Sequence, residues 1–402
     1  MIKEKLPNNI KLLVITPHFK YFIKDQIAAI SPFLKKTNIL IPINRFSYLI
    51  RYLPVIRDQF SYGKDGIESF NTKFKYKDVN IYRLPYLSLP LNLYRKRNHR
   101  IIEQKIINNL YINKENPNLI HAHFLGTTGY IGAILKEKYG VPLIITGHGG
   151  DVYGSPFKEK WSQDIAKYTM NVADQIIAVS QFNANKMISL GVSSHKIHVI
   201  PNGYNENLFK PISLYDARKK LNIPMNKKVL LTVGSLDEVK GHTYLIDAMH
   251  IILKKQQNVL LIIVGSGPLK PNLYQKIKIL GLTEKILLVG RRRHEEIPLW
   301  MNACDLFILP SLNEGFPTVI SEALACSKPV IATRVGGIPE AISNNNVGIV
   351  IDPRDPKLLA LAILEALDRI WNPEEISNYA KQYSWKNLGQ QILKVYDAAL
   401  MR

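Results

Sequence analysis

The chain is short of cysteine, of negative charge and of long apolar runs, and each shortage excludes something. Its 402 residues hold two cysteines, Cys304 and Cys326, both in apolar, core-like sequence. Two such thiols do not make a disulfide-stapled secreted scaffold; they read as buried free cysteines in a reducing compartment. No apolar run reaches the ~18 residues that a membrane span needs, and stretches such as NVLLIIVG stop at strand length. The start, MIKEKLPNNIKLLVITP, has charges and one short apolar run. It reads as a first strand, not a signal peptide, and a cytoplasmic location is expected. Two nucleotide fingerprints are missing. VGSGPLKPNL (264–273) has Gly265 and Gly267 but no third spaced glycine, and no G-x-x-x-x-G-K-[ST] occurs. The dinucleotide and P-loop signatures therefore fail, and the glycines read as turn residues that let a helix start close to a sheet. No internal repeat or low-complexity tract is seen.

Acidic residues number 32 against 53 Lys and Arg, a formal net charge of +21. Residues 1–200 alone hold 28 basic against 13 acidic residues, a net +15. Such a field attracts phosphorylated substrates, acidic lipid or nucleic acid; a plain solvated basic face is the other reading. No nucleic-acid recognition module is evident, so no nucleic-acid partner is expected. RFSYLIRYLPVIRDQF (45–60) mixes aromatics, aliphatics and Arg, and RKRNHR (95–100) follows. An interfacial helix would show this surface to an anionic membrane, giving a peripheral location; an ordinary helix or loop packed on the domain is the alternative.

What is present is a double series of strand-like runs. IKLLVIT (10–16), NLIHAHF (118–124), PLIITGHG (142–149), DQIIAVS (174–180) and KIHVIPNG (196–203) form the first. KKVLLTVGS (227–235), NVLLIIVGSG (258–267), KILLVG (285–290), ACDLFILPS (303–311) and SKPVIATRVGG (327–337) form the second. Amphipathic helix-like segments lie between several of them. Continuous apolar strands alternating with helices indicate parallel sheets buried on both faces. The expected fold is α/β, with two doubly wound domains in sequence and a seam near IPNGYNENLFKP (200–211). Ligands of such sheets bind at the carboxyl ends of strands, so chemistry is expected in a cleft between the domains.

The stretch NEGFPTVISEAL (313–324) places Glu314 and Glu322 eight residues apart among apolar and small residues. Buried carboxylates are costly without partners. EGFPTVISEALA reads as loop, then helix, with Pro317 in the first turn. The N–H groups of Thr318, Val319 and their neighbours could hold a phosphate. Glu322 would lie on the helix and Glu314 on the loop before it, both able to accept vicinal hydroxyls. This suits a nucleotide sugar, with Lys240 opposite. The loop VGSLDEVKG (233–241), taken alone, reads as an ordinary loop with an exposed lysine; as a strand–loop–helix junction it can also serve an anion. HAHF and TGHGGDVY supply His121, His123, His148 and Asp151. A metal reading would use the His-x-His pair with Asp151 as third ligand, but no further ligands cluster nearby, and His148 is the better candidate for bonding a substrate hydroxyl or carbonyl. No metal site and no Asp-x-Asp motif are read.

At this point EGFPTVISE, flanked by ACDLFILPS and SKPVIATRVGGIPE, resembles the donor site of the family-4 retaining glycosyltransferases, the group 1 glycosyl transferases. VGSLDEVKG, VGSGP, TGHGGDVY, VSQFNANKM and VIPNGYNENLFKP support the likeness, which covers nearly all of residues 118–400. The resemblance implies a GT-B fold: an acceptor-binding Rossmann-like domain (1–205), a nucleotide-sugar domain (206–382) facing it across a cleft, and a crossover helix (383–402) returning to the first. It implies a hexosyltransferase that takes a nucleoside-diphosphate sugar as co-substrate, needs no metal or other cofactor, and acts on a glycan or lipid-linked acceptor in cell-envelope or polysaccharide biosynthesis. A GT-B epimerase or phosphorylase is the alternative. Glu322 would bind the ribose, Glu314 the transferred sugar and Lys240 the diphosphate, with His148 near the reacting centre. Gly234, Ser235, Gly290, Arg291, Gly315, Phe316, Pro317, Thr318 and Val319 would complete the donor site, and His123 and Asp151 would lie on the acceptor side. Two departures stand out. Ser235 occupies a position where the family usually has arginine, for which Arg291, Arg292 or Arg293 would compensate. The loop after the first strand, VITPHFKYFIKDQ, has no glycine and offers only His18 and Lys24.

Overall fold

The computed structural model describes residues 9–19, 21–44, 78–86, 101–108 except 103 and 107, 116–154 and 159–401. The aromatic–arginine stretch 45–60 and the basic cluster 95–100 lie outside the described residues. The chain forms two compact units: residues 1–201 with 388–402, and residues 202–387. No helix among the described residues is long and apolar enough to cross a membrane.

The first unit holds strands β1 (Lys11–Ile15), β2 (Lys36–Asn44), β3 (Val79–Tyr86), β4 (Leu119–His123), β5 (Leu143–Gly147), β6 (Gln175–Ala178) and β7 (Ile197–Val199). They form one parallel sheet in the order β3-β2-β1-β4-β5-β6-β7. The second unit holds β8 (Lys228–Val233), β9 (Val259–Val264), β10 (Ile286–Gly290), β11 (Leu306–Leu309), β12 (Val330–Thr333) and β13 (Gly348–Ile351). These are also parallel, in the order β10-β9-β8-β11-β12-β13. Every residue of β4, β5 and β9 is buried, as helices covering both faces require. Both sheets reverse direction of growth between their first and fourth strands, β1 beside β4 and β8 beside β11. The loops leaving those strands diverge there and open the crevice in which doubly wound sheets bind ligands. Each unit is thus a Rossmann-like, doubly wound parallel sheet.

Strands β2, β3 and β13 were not among the runs read from sequence. β2 and β3 carry Pro42 and Pro85. A proline cannot donate to a ladder and is confined to edges. Pro42 lies beyond Leu40, the last β2 residue paired with β1, and Pro85 lies on the outer strand β3.

The helix Trp385–Leu400 ends the chain, and from Leu388 onward it counts with the first unit. A Cβ at Gly389 would sit 3.4 Å from the Ala29 side chain, so glycine permits close packing on the helix Tyr21–Ile30. Tyr396, fully buried, bonds His121 of β4. In the second unit, Tyr204 pairs with Ser384, and Gly203 lies flat against the Trp385 indole. The two segments bordering the unit boundary are thereby tied together.

Arg218, 2% exposed, organises the opposite end of the second sheet. Its guanidinium donates to the carbonyls of Ala303, Met225 and Lys227 and to Asp305 at 2.7 Å. Asp305 also accepts from the Val229 N–H. The planar fork thus links the helix Leu214–Leu221 to the entries of β8 and β11. Arg218→Ala would leave Asp305 and three carbonyls short of a donor. It is expected to lower unfolding free energy by about 3–5 kcal/mol, measured by urea denaturation; a loss under about 1 kcal/mol would contradict this role.

Candidate functional site

Residues on the loops after β8, β10 and β11 converge at the switch point of the second sheet. Lys240, from the loop after β8, places its Nζ 2.6 Å from Glu314 Oε1, from the loop after β11. Ser311 donates to the same oxygen at 2.7 Å. Thr333 of β12 donates in turn to the Ser311 carbonyl. Glu314 is 9% exposed and Glu322 3%, so both would be costly charges without partners. Glu322, fifth residue of the helix Thr318–Ala325, faces His294, whose Nε2 lies 2.8 Å from its Oε1. His294 follows β10 and packs on Phe209, ring centroids 5.1 Å apart.

The loops reach this arrangement by backbone contact that only glycine allows. Gly241 has φ +65°, and a Cβ there would lie 1.9 Å from the Pro310 carbonyl oxygen. Gly336, at φ +52°, would drive a Cβ to 1.7 Å from the Glu314 carbonyl oxygen. Gly337 donates its N–H to the Gly315 carbonyl. The Glu314 loop is thus clamped from both sides. Gly265 and Gly267 press likewise on the loop 234–236.

Pro317 is the residue before the helix, not within its first turn: the helix begins at Thr318. Pro317, the N-cap residue, has no side chain able to cap that end, and a helix start presents amides and the positive end of its dipole to an anion. Phe316 and Thr318 are buried, and Phe316 packs on Tyr383 at 5.4 Å between centroids; Val319 is the next residue of the same helix. Gly234 donates to the Val264 carbonyl at the end of β9. Ser235 donates to Asp237 at 2.5 Å, and its carbonyl meets buried His242. Burial lowers His242 to about 4, keeping it neutral. Gly290, at φ +77°, ends β10 at a bulge. Of the arginines that follow, Arg292 lies over Trp300 and Arg293 contacts Glu296, while Arg291 is exposed.

The first unit collects histidines at its own switch point. His121 and His123 stack on one face of β4, centroids 4.5 Å apart. His121 spends both ring nitrogens on Tyr396 and Thr146. Burial lowers its pKa to about 3. An imidazole so committed has no lone pair left for a metal. His123 Nδ1 meets His148 Nε2 at 3.0 Å. The His148 ring packs against Phe22 and Phe124, and His18 packs on Phe124. Asp151 accepts the backbone N–H groups of Leu125 and His148, each at 2.9 Å, fastening the loop after β5 to the loop after β4.

The two glutamates and Lys240 stand out in the sequence; His294, Ser311 and Phe209 do not. His294 had one usable signal, its place after the carboxyl end of a strand.

Residues 215–383 match the family described as glycosyl transferases group 1, and residues 64–208 match glycosyltransferase family 4. An uncharacterized glycosyltransferase of Methanocaldococcus jannaschii is 31% identical over 80% of this chain and 86% of its own. A Bacillus subtilis glycosyltransferase, whose name assigns it provisionally to teichuronic acid biosynthesis, is 31% identical over 74% of each chain. The Anabaena protein HepE, solved with UDP and glucose, shares the fold with a TM-score of 0.75 and 22% identity, covering 96% of this chain and 99% of its own.

Two outcomes follow from the local geometry. Gly336→Ala combines a positive φ with a clash against the Glu314 backbone; it is expected to cost at least about 2 kcal/mol of stability, and an unchanged melting temperature would contradict the clamp. Burial pushes the Asp151 carboxyl up from 3.8 to about 6, against the pull of the backbone N–H groups that it accepts. The folded state therefore holds this proton more tightly than the unfolded chain. The contribution of Asp151 to stability is whole below about pH 4 and is lost as pH rises through about 6. Urea midpoints measured across this window should show that the loss is absent in Asp151→Asn; parallel curves for the two proteins would refute the assignment.

Proposed function

The chain belongs to the group 1 glycosyl transferases, and on that premise we propose that it moves a hexose from a nucleoside-diphosphate sugar to a glycan or lipid-linked acceptor, with retention and without a metal. The observation that carries the donor assignment is the pairing of two buried carboxylates with Lys240 and His294 around a helix start. A carboxylate has about four acceptor sites. Glu322 can keep His294 on one oxygen and bind ribose hydroxyls with the other. Lys240 has three donors, so it can hold Glu314 and a phosphate oxygen together.

Bond breaking between the sugar C1 and the diphosphate leaves negative charge on the phosphate. Lys240 and the amides at the start of the helix Thr318–Ala325 would stabilise that charge as it forms. Glu314 would orient the sugar and His148 would meet it near C1. The acceptor hydroxyl attacks from the face that the diphosphate leaves, and its proton passes to the departing phosphate. Gly234, Ser235, Gly290, Arg291, Gly315, Phe316, Pro317, Thr318 and Val319 form the surrounding donor contacts in this reading, and His123 and Asp151 support the acceptor side. The basic excess of residues 1–200 favours an anionic membrane surface where a lipid-linked acceptor would reside. The Bacillus relative's name suits an acceptor in cell-envelope polysaccharide synthesis.

Calorimetric titration with UDP-, GDP- and ADP-glucose and with the bare nucleotides tests the donor assignment. Glu322→Ala is expected to weaken nucleotide and nucleotide sugar alike by roughly tenfold or more. Glu314→Ala should weaken the sugar nucleotide and spare the nucleotide. Unchanged binding in Glu322→Ala would overturn the assignment, and loss of turnover in a metal chelator would overturn metal independence.

A further inference from the structure

The Glu314 carboxylate has two tethers of different kinds, and both reach the same oxygen. Lys240 Nζ lies 2.6 Å from Oε1, and the Ser311 hydroxyl donates to Oε1 at 2.7 Å. Oε2 has no hydrogen bond to the described residues, which leaves it to accept from a ligand. The Lys240 tether is a charge on a flexible stem, with a side chain 23% exposed and three donors. A diphosphate arriving beside it competes with Glu314 for the ammonium. The Ser311 tether is neutral and fully buried, at 0% exposure, so nothing docked on this edge of the sheet reaches it. Its backbone is pinned from two sides. The Thr333 hydroxyl donates to the Ser311 carbonyl, and the next N–H, of Leu312, donates to the Val239 carbonyl at 2.6 Å.

We infer that Ser311 is the positioning residue that keeps Glu314 aimed at the transferred sugar while Lys240 turns to the diphosphate. The inference rests on the placement of the sugar at Glu314 proposed above. Ser311 then shapes sugar recognition without touching the sugar. It holds Oε1 against the loop, so that Oε2 stays at a fixed place for a sugar hydroxyl to meet. Without the Ser311 hydroxyl, Oε1 keeps Lys240 alone, and the carboxylate is free to follow the ammonium as the diphosphate draws it away. The contacts assigned to the nucleotide, from Lys240, Glu322 and the start of the helix Thr318–Ala325, do not pass through Ser311. Its loss therefore falls on the sugar part of the donor and spares the nucleotide part.

Calorimetric titration of the full chain with UDP, GDP and ADP and with their glucose esters tests it, using the pair that binds most tightly. The readout is the dissociation constant of the nucleotide-glucose divided by that of the bare nucleotide. In Ser311→Ala this ratio should rise roughly threefold or more, with nucleotide binding unchanged. In the Glu314→Ala background, Ser311→Ala should move the ratio no further, as two residues acting through one contact require. An unshifted ratio in Ser311→Ala, an equal loss for both ligands, or a further shift in the double variant overturns the inference. If Ser311→Ala does not fold, Ser311→Cys, with a weak donor in place of the hydroxyl, should shift the ratio the same way, and an unshifted ratio there overturns it. The two readings fail separately. No binding by any pair, or no effect of Glu314→Ala on the ratio, sinks the sugar placement and this inference together. A shift in Glu314→Ala without one in Ser311→Ala sinks the role of Ser311 alone.

Discussion

Close backbone approach at the second switch point is the constraint on which the rest depends. Parallel strands deliver all their carboxyl ends to one edge of the sheet, and the loops leaving β8, β11 and β12 must share that edge. Gly241 lets the β8 loop touch the Pro310 carbonyl, and Gly336 lets the β12 loop touch the Glu314 carbonyl. With the loops this close, Lys240 and Glu314 meet although they lie 74 residues apart. Without that approach a nearly buried glutamate would stand alone, and its desolvation would have nothing to offset it.

The same logic explains why each carboxylate has a different partner. Glu314 has a cation, the ammonium of Lys240. Glu322 has an imidazole, which holds one oxygen in place. The helix between them begins after Pro317, whose side chain cannot cap it. A ligand with a diphosphate between two polyols matches this order of groups: acceptor, anion site, acceptor. The family to which the chain belongs carries transferase names, which favours transfer over epimerase or phosphorylase chemistry.

Much of this was legible in the residues themselves. The double series of apolar strands announced two α/β units because parallel strands are buried on both faces. The glutamates showed themselves as charges in apolar sequence. What stayed hidden depended on contacts between distant segments. His294 sits 28 residues before Glu322 and looks like one more polar residue in RRRHEE. β2 and β3 hid behind prolines that edges and strand ends tolerate. The uses of His121 and Asp151 also stayed out of reach, since only the fold shows that Tyr396, Thr146 and backbone amides occupy their polar atoms.

The central claim is that the edge built by Lys240, Glu314 and Glu322 is where a nucleotide sugar binds. Hydrogen–deuterium exchange of the full chain, with and without the nucleoside-diphosphate glucose that most raises its melting temperature, tests this most directly. The account predicts slowed exchange in the loops 234–241 and 290–294 and across 311–322. Saturating ligand that leaves those three segments unchanged, or protects another face of the second sheet instead, would contradict it.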